Sequence, residues 1–524
     1  MSGAARVLLV GFQDQENLGL GYLAGSLKAA GHAVCIESFA RDASRLLSQA
    51  RQWQPDIVGF SLIFQFLAPD FAETLHALRQ GGVAAHFTMG GHYASFAPEA
   101  LFALMPELDS IVRFEGEHTL VELAAAIAAG RPWREVRGIV WRDGTVLHTS
   151  PPRQAVTDLD TLPWPERPET AFRRNPVPTA SLLASRGCLH SCSFCSIVPF
   201  YQNNGTRGRR RRNPVRVADE IEHLNRRRGV RLVLFQDDDF LAGGRDARKW
   251  ALSLAHELIR RGLHRRIRFR IACRSDEVRE EVLAPLVEAG LANVYLGVES
   301  GDAEALLSLN KKITADVHFR AGEILRGLGL SFDFGFMLLE PWSTRVTVRN
   351  NLRFLREFCT GGYAAAGFCR ALPYAGTPME KRMRVEGRLE GAAFQADYRF
   401  LDQRLDTLWD FSLVAFAGRN YGKNAVWDLL RGLLFEARLD FPDRPHDPGF
   451  LATARTLTEA SNNLMLDIAE EALDRIERME KPELDDPALL RLARLSREEN
   501  ERIRDMVSAL WNARPQQADE ELRA

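Results

Sequence analysis

Two series of alternating strand-like and helix-like segments, separated by a proline-rich stretch, constrain the fold of this chain most. The first series occupies residues 1–136, and the second restarts near residue 179 and continues through about six units to residue 380. Alternation of this kind builds parallel sheets covered by helices. The sequence therefore predicts an α/β protein, with a doubly wound Rossmann-like domain followed by a partial (βα)6 barrel whose chemistry lies at the carboxyl ends of its strands.

The remaining segments complete the predicted organisation. Residues 137–178 combine a short hairpin pattern with many prolines and are predicted to form a linker. Residues 381–524 have helical patterns only, which predicts a helical C-terminal domain covering the substrate side of the barrel. Aromatic residues at helical spacing are more often part of a core than of a pocket. With that alternative open, the candidates for lining the substrate side are Tyr374, Tyr398, Trp409, Tyr421 and Trp427.

Charge and cysteine usage narrow the class of protein. The 68 basic and 69 acidic residues leave a formal net charge of -1, so nothing favours an obligate nucleic-acid partner. The basic run at 207–212 is interpreted as a solvated face or as a partner for a substrate or cofactor phosphate. Three of the 7 cysteines are clustered and four are scattered, which is typical of a reduced cytoplasmic protein with one thiolate site. No signal peptide and no membrane span are expected.

The clustered cysteines predict an iron–sulfur site. Cys188, Cys192 and Cys195 have CxxxCxxC spacing and directly follow the first strand of the second series. Three thiolates can hold three irons of a [4Fe–4S] cluster and leave the fourth iron open to a small molecule. A zinc site is the alternative, but zinc normally takes a fourth Cys or His at short spacing, and His190 lies inside the loop.

Polar residues stand at the ends of other strands in the second series. A ligand that carries an ammonium, a carboxylate and a ribose needs acceptors for the first and last and a cation for the second, and this layer contains both. Together with the cysteine spacing, segments 236–239, 296–301, 310–312 and 374–377 resemble the radical S-adenosylmethionine (radical SAM) superfamily. The resemblance implies that the three cysteines ligate the cluster and that SAM is bound by Phe194, Gln236, Asp237, Arg274, Glu299 and Ser300.

Loops 14–19, 61–63 and 90–92, which follow strands of the first series, are similar to those of a cobalamin-binding domain. In that family a DxHxxG loop supplies the lower cobalt ligand, while a Ser loop and a GG turn hold the nucleotide tail. The resemblance implies a cobalamin site formed by Asp14, Glu16, Gly19, Ser61, Gly90 and Gly91. Glu16 stands in place of the histidine, and because a carboxylate is a poor substitute for an imidazole on cobalt, we do not expect Glu16 to ligate the metal. His92 is an alternative ligand, and a domain that keeps the fold without cobalamin is an alternative interpretation.

The combined resemblance is to cobalamin-dependent radical SAM enzymes. It implies reductive cleavage of SAM and C-methylation of an unactivated carbon in a natural-product, peptide or metabolite substrate, with an electron donor such as flavodoxin or ferredoxin. Radical cyclisation, ring contraction or rearrangement without methyl transfer is the alternative within the family. A non-catalytic cluster-binding or cobalamin-binding protein is the alternative from another class. The sequence identifies no substrate, catalytic residue or oligomeric state.

Overall fold

The computed structural model describes residues 3–13, 16–168, 177–443 and 445–512. The chain divides into two compact units, of which the first contains residues 1–238 and 373–397 and the second contains residues 239–372 and 398–524. The strands are β1 (Arg6–Gly11), β2 (Ala33–Ser38), β3 (Ile57–Ser61), β4 (His86–Gly90), β5 (Ser110–Val112), β6 (Ile139–Asp143), β7 (Val146–Thr149), β8 (Thr179–Leu182), β9 (Ser185–Arg186), β10 (Arg210–Arg211), β11 (Leu232–Phe235), β12 (Arg268–Arg274), β13 (Leu291–Glu299), β14 (Ser331–Leu339) and β15 (Cys369–Arg370).

The helices alternate with these strands until β15 and then continue alone. They are α1 (Leu18–Ala29), α2 (Ser44–Trp53), α3 (Ala68–Gln80), α4 (His92–Phe96), α5 (Pro98–Leu104), α6 (Glu117–Ala128), α7 (Ile197–Asn203), α8 (Pro214–Arg228), α9 (Gly244–Arg260), α10 (Glu280–Glu288), α11 (Ala303–Ser308), α12 (Ala315–Gly327), α13 (Arg345–Phe358), α14 (Pro378–Val385), α15 (Gln403–Ala415), α16 (Ala417–Asn420), α17 (Val426–Arg438), α18 (Pro448–Arg478) and α19 (Pro487–Asn512). None of the helices in the described ranges is long and apolar enough to cross a membrane.

The first unit begins with a doubly wound sheet. Its strand order is β2-β1-β3-β4-β5-β6-β7, in which β1 to β5 are parallel and the hairpin β6–β7 is antiparallel. Alternate residues of β1 enter opposite faces, so Leu8 and Val10 pack into one buried cluster while Val7 and Leu9 pack into another. The predicted Rossmann-like domain is confirmed, and the hairpin at the start of the predicted linker extends its sheet.

The proline-rich segment packs on this domain. A methyl group added at Gly21 of α1 would lie 2.7 Å from the Glu166 carbonyl oxygen, and one added at Gly25 would lie 2.6 Å from that of Trp164. Two glycines one turn apart therefore let the segment 163–166 lie directly against α1.

Residues 373–397 also belong to the first unit. The Ala375 N–H donates to Gln65 Oε1 at 2.8 Å, and the Met379 N–H donates to the Ser193 carbonyl oxygen, inside the cysteine loop, at 2.7 Å. Between them Gly376 has a φ of +81°, and a Cβ there would lie 2.4 Å from the Phe96 ring. This segment thus contacts both the Rossmann-like domain and the cysteine loop.

The six parallel strands of the half-barrel are divided between the units. In the first unit β8 pairs with β11, and in the second unit β12 to β15 form a continuous parallel array in the order β15-β14-β13-β12. Helices α8, α9, α10, α12 and α13 lie between successive strands along the chain. The partial barrel predicted for the second series is confirmed as a half-barrel of parallel strands.

The strands of the second unit have one apolar and one polar face. Phe334 of β14 is buried and packs 5.3 Å, centroid to centroid, from Phe358 of the crossover helix α13. Residues one position away, including Tyr295 of β13 and Asp333 of β14, lie on the opposite face because successive side chains alternate. The polar face is therefore the inner face of this part of the half-barrel.

The C-terminal region is helical, as predicted. Val426, Leu430 and Leu433 of α17 form a buried cluster with Leu457 of α18 and Ile503 of α19. Helix α17 also contacts β13 and β14. The C-terminal helices of the second unit are thus packed on one another and on the barrel strands of that unit.

Candidate functional site

The three clustered cysteines lie in the loop between β9 and α7. Cys192 is buried, and Cys188 and Cys195 are partly buried. Burial raises the pKa of the Cys195 thiol to about 12, and the nearby Cys192, Asp238 and Cys188 act in the same direction. Three sulfur atoms brought this close repel one another as thiolates, whereas iron ions bind and neutralise them. The donor set therefore fits a [4Fe–4S] cluster with one open iron.

Acidic residues at the end of β11 hold the strand that leads into this loop. Asp237 accepts hydrogen bonds from the Ala184 N–H, at 3.0 Å, and from the Ser185 hydroxyl. Asp238 accepts one from the Gly187 N–H at 2.8 Å. Gly187 has a φ of +92°, and a Cβ there would lie 2.5 Å from a backbone oxygen, so the turn before the first cysteine requires glycine.

The alternation of β11 separates the predicted SAM-binding residues. Gln236 and Asp238 are exposed, whereas Asp237 between them is buried and paired with Arg209. The accessible carboxylate beside the cysteine loop is thus that of Asp238. The residues predicted from the sequence to bind SAM include Asp237 and not Asp238, although the strand period continued from Phe235 distinguishes the two acids. SAM binding by Gln236 and Asp237 stays a prediction, as does an adenine contact for the partly buried Phe194.

A buried ion-pair network connects the cysteine loop with the Rossmann-like domain. Arg186, two residues before Cys188, lies 2.9 Å from Glu115 and 2.6 Å from Glu117, which follow β5. Arg210 pairs with Glu115 at 2.7 Å, and these four side chains are at most 10% exposed. Removing one partner of such a network leaves a buried charge unpaired, at a cost of about 3–5 kcal/mol. The network therefore fixes the strand before the cluster loop against the first domain.

The basic run at 207–212 contributes to this interior. Arg209 pairs with Asp237 at 3.6 Å and Arg212 with Glu220 at 2.6 Å, and both arginine side chains are at most 5% exposed. The interpretation of the run as a solvated face is wrong for these residues, because each charge has a buried carboxylate partner. A single sequence shows no such pairing, since Asp237 lies beyond β11 and Glu220 lies on α8, and only the fold shows which carboxylate each arginine meets.

Glu16, at the position of the usual histidine, is engaged by the protein. Its Oε1 lies 2.5 Å from Arg167 Nε, and its Oε2 accepts the Ser181 N–H at 2.5 Å. Arg167 also pairs with Glu220 at 2.8 Å. Burial raises the pKa of Glu16 above its ordinary value, although Arg167 acts in the opposite direction. Both oxygens thus have protein partners, and the remaining loop residue Asp14 lies outside the described residues.

The carboxyl edge of the Rossmann-like sheet offers a surface for a bulky ligand. Ser61 ends β3 and Gly90 ends β4, and Gly91 has a φ of +105° with a Cβ position only 2.4 Å from the Leu62 carbonyl oxygen. Beyond Ser61, Phe64 and Phe66 are 45% and 49% exposed. Exposed aromatic residues at the ends of parallel strands mark a ligand crevice, which fits the partly apolar corrin of cobalamin. Gly19 lies in the first turn of α1.

His92, directly after the GG turn, points to the helix that follows the cysteine loop. Its ring stacks on Phe200 with 4.2 Å between centroids, and its Nδ1 lies 3.2 Å from Ser196 Oγ. Burial lowers the pKa of His92 to about 4. His92 is therefore a neutral residue that lies between the Rossmann-like domain and α7, with the Ser196 hydroxyl beside its ring.

The second unit brings Arg274 and Glu299, which end β12 and β13, close to Lys311. Glu299 has a φ of +69° and lies 3.7 Å from Lys311 Nζ. Arg274 pairs with Asp276 at 2.9 Å and donates to the Lys311 carbonyl oxygen at 2.6 Å. Burial raises the pKa of Glu299, while Lys311 and Arg274 lower it. A non-glycine residue held at positive φ is typical of functional sites.

Two residues of this layer differ from the sequence-based assignment. Ser300 is fully buried and donates to Asn351 Oδ1 at 2.8 Å, so its hydroxyl stabilises the turn after β13. Lys311, which belongs to the motif segment 310–312, is the charge partner of Glu299. The roles of Arg274, Glu299 and Ser300 toward SAM stay predictions.

The half-barrel with its three-cysteine loop defines an enzyme of the radical SAM class. Residues 182–350 match the Radical SAM superfamily, and residues 7–124 match the B12 binding domain. The chain thus belongs to the cobalamin-dependent radical SAM enzymes, whose cofactors are a [4Fe–4S] cluster, SAM and cobalamin.

Known proteins similar to this chain have several activities. An uncharacterized methyltransferase of Pyrococcus horikoshii is 27% identical over 69% of this chain and 76% of its own length. The anaerobic magnesium-protoporphyrin IX monomethyl ester cyclase of Cereibacter sphaeroides is 28% identical over 69% of this chain, which spans only 59% of the cyclase. The cobalamin-dependent SAM radical enzyme OxsB, solved with aqua-cobalamin and SAM bound, is 17% identical, with a TM-score of 0.67 over 99% of this chain and 82% of OxsB. The last similarity concerns the fold.

Proposed function

We propose that this protein is a C-methyltransferase that modifies an unactivated carbon of a natural-product, peptide or metabolite substrate, with flavodoxin or ferredoxin as electron donor. The observation that carries the proposal is the buried network of Arg186 with Glu115 and Glu117. It fixes the strand before the cluster loop against the cobalamin-type domain inside one compact unit. Methyl transfer needs both cofactors within reach of one substrate, and this connection favours that arrangement.

The bound cofactors supply the hard chemistry, namely an electron that cleaves SAM and a methyl group carried on cobalt. The residues of this chain bind and orient them. Cys188, Cys192 and Cys195 hold the cluster, and Gln236 and Glu299 orient SAM. Arg186 positions the cluster loop. Neutral His92 fills the space beside α7 without adding a charge to it.

A radical cyclisation is the second candidate, because one similar protein is named a cyclase. The two activities leave different products from SAM. Methyl transfer from SAM releases S-adenosylhomocysteine, whereas reductive cleavage alone releases methionine and 5′-deoxyadenosine. Incubation of the anaerobically reconstituted protein with SAM, cobalamin and a reductant therefore separates them. We expect S-adenosylhomocysteine, and its absence would favour the cyclase.

The cluster assignment has its own test. Cys192→Ala is expected to lose the SAM-responsive electron paramagnetic resonance signal and most of the iron, because two thiolates cannot hold the cubane. Cys35→Ala, which removes a distant cysteine of the first unit, is the matched control and keeps both. A complete, SAM-responsive cluster in Cys192→Ala would overturn the assignment, and a reconstituted protein that binds no corrinoid would overturn methyl transfer.

A further inference from the structure

The inner face of the second unit carries a polar group that the proposed roles leave unused. Arg270 of β12, Tyr295 of β13 and Asp333 of β14 lie on neighbouring strands, and Tyr295 and Asp333 face each other in register. Arg270 lies 3.6 Å from Asp333 and 5.3 Å from the centre of the Tyr295 ring. These three residues form one cluster, which we call the inner polar cluster.

The C-terminal region adds a second guanidinium to this cluster. Arg431 of α17 lies 3.4 Å from Asp333 and 6.0 Å from the centre of the Tyr295 ring. Arg431 is already neutralised from the other side, because it donates to Asp428 at 3.1 Å. Asp333 is thus shared between two cations, and its distance to Arg270 is longer than its distance to Arg431.

Arg270 and Tyr295 have unused hydrogen-bond donors. Among the described residues neither the Arg270 guanidinium nor the Tyr295 hydroxyl makes a hydrogen bond, and the separation of Arg270 from Asp333 exceeds hydrogen-bond length. Both side chains are only partly accessible. Burial lowers the pKa of Arg270, and Arg431 lowers it further, against the opposing effect of Asp333. A partly buried cation without a hydrogen-bonded counter-ion is unfavourable, so an anion at this place would stabilise it.

The cluster lies next to the layer assigned to SAM. A Cβ placed on Gly335 would be 2.6 Å from the Tyr295 hydroxyl and 3.3 Å from Glu299 Oε2. The free hydroxyl and the Glu299 carboxylate therefore approach the same point. A molecule anchored on Arg270 and Tyr295 would extend toward Glu299.

We propose that Arg270 and Tyr295 bind a carboxylate or phosphate group of the substrate at the inner face of the half-barrel. The guanidinium supplies two parallel N–H donors and the phenol supplies a third, a set that matches the oxygens of either anion. That the anion belongs to the molecule being methylated rests on the proposed function. The binding site itself rests on the geometry alone.

The test uses the full chain and simple probes. Phenyl phosphate and phenylacetate present the two anions, and 2-phenylethanol is the neutral comparison; each is titrated calorimetrically. We expect one or both anions to bind, and the stronger one identifies the group. Arg270→Gln should weaken that binding at least tenfold and Tyr295→Phe about three- to tenfold. Arg353→Gln, at an exposed position of α13, is the control and should bind as the unmodified protein does.

Several results would overturn the proposal. They are equal binding of 2-phenylethanol, unchanged binding in Arg270→Gln, or no binding of either anion by the unmodified protein at millimolar concentration. If Arg270→Gln does not fold, Arg270→Lys and Tyr295→Phe decide, because both keep the volume of the site. The titrations need no SAM turnover, so they can succeed where S-adenosylhomocysteine formation fails. Failure of the anion site can therefore be distinguished from failure of the proposed function.

Discussion

Restoring the usual histidine, Glu16→His, is expected to destabilise the protein without creating a cobalt ligand. Glu16 is not a vacant ligand position in this chain. Its two oxygens bind Arg167 and the Ser181 N–H, each at 2.5 Å, and its side chain is 9% exposed. An imidazole cannot supply the negative charge with which Glu16 pairs Arg167.

The size of the effect follows from these contacts. Breaking a buried ion pair costs about 3–5 kcal/mol when the remaining charge has no partner. Arg167 keeps Glu220 at 2.8 Å, which places the loss at the lower end of that range, about 3 kcal/mol. A change of 1 kcal/mol shifts the melting temperature of a unit of this size by about 2–4 °C, so the expected decrease is about 6–12 °C.

Differential scanning calorimetry measures that decrease. Glu73→His, at an exposed site of α3, is the matched control and should change the free energy of unfolding by less than about 0.5 kcal/mol. Electron paramagnetic resonance on cobalamin-loaded protein with 15N-labelled histidine tests the ligand. The label should leave the cobalt signal unaltered. A Glu16→His protein as stable as the control, or a label-dependent splitting, would show this reasoning to be wrong.

Two further substitutions test the first unit. Burial lowers the pKa of His92 to about 4, so the unfolded chain takes up a proton on His92 first as the pH falls below about 6.5, and the stability of the folded protein declines between these two pH values. His92→Phe should therefore narrow the difference in melting temperature between pH 8 and pH 5. An unchanged difference would contradict this role of His92. Gly376→Ala combines a φ of +81° with a contact of 2.4 Å to Phe96 and should lower the free energy of unfolding, measured by urea denaturation, by about 2–4 kcal/mol. Its control is Gly144→Ala, in an open turn with a φ of +58°, which should lower it by about 1–2 kcal/mol. Equal losses would argue against the Phe96 contact.

The sequence predicted the architecture because strand and helix periods are local signals. The Rossmann-like domain, the half-barrel strands and the helical C-terminal region all follow from such periods. The family followed from one spacing, Cys188, Cys192 and Cys195, combined with loop motifs at strand ends.

The electrostatics of the site could not be predicted in the same way. Arg209 and Arg212 resemble a surface charge run, yet Asp237 follows another strand and Glu220 lies on the buried side of α8, and the fold decides that these carboxylates meet the two arginines. The position of Asp238 is different, because the strand period does carry that information. Had the alternation been continued past Phe235, Asp238 would have been placed on the accessible side.

The composition of the first unit has a consequence for how the protein is made. Its last segment, 373–397, is synthesised about 160 residues after residue 238, which at about 5–20 residues per second is a delay of roughly 8–30 s. During that interval the nascent unit lacks the partner of Gln65, the cover of Phe96 and the Met379 N–H that binds inside the cysteine loop. The cluster-binding loop is therefore complete only after segment 373–397 has been synthesised, and a chaperone or an iron–sulfur carrier that acts on this protein meets an open loop before a closed one.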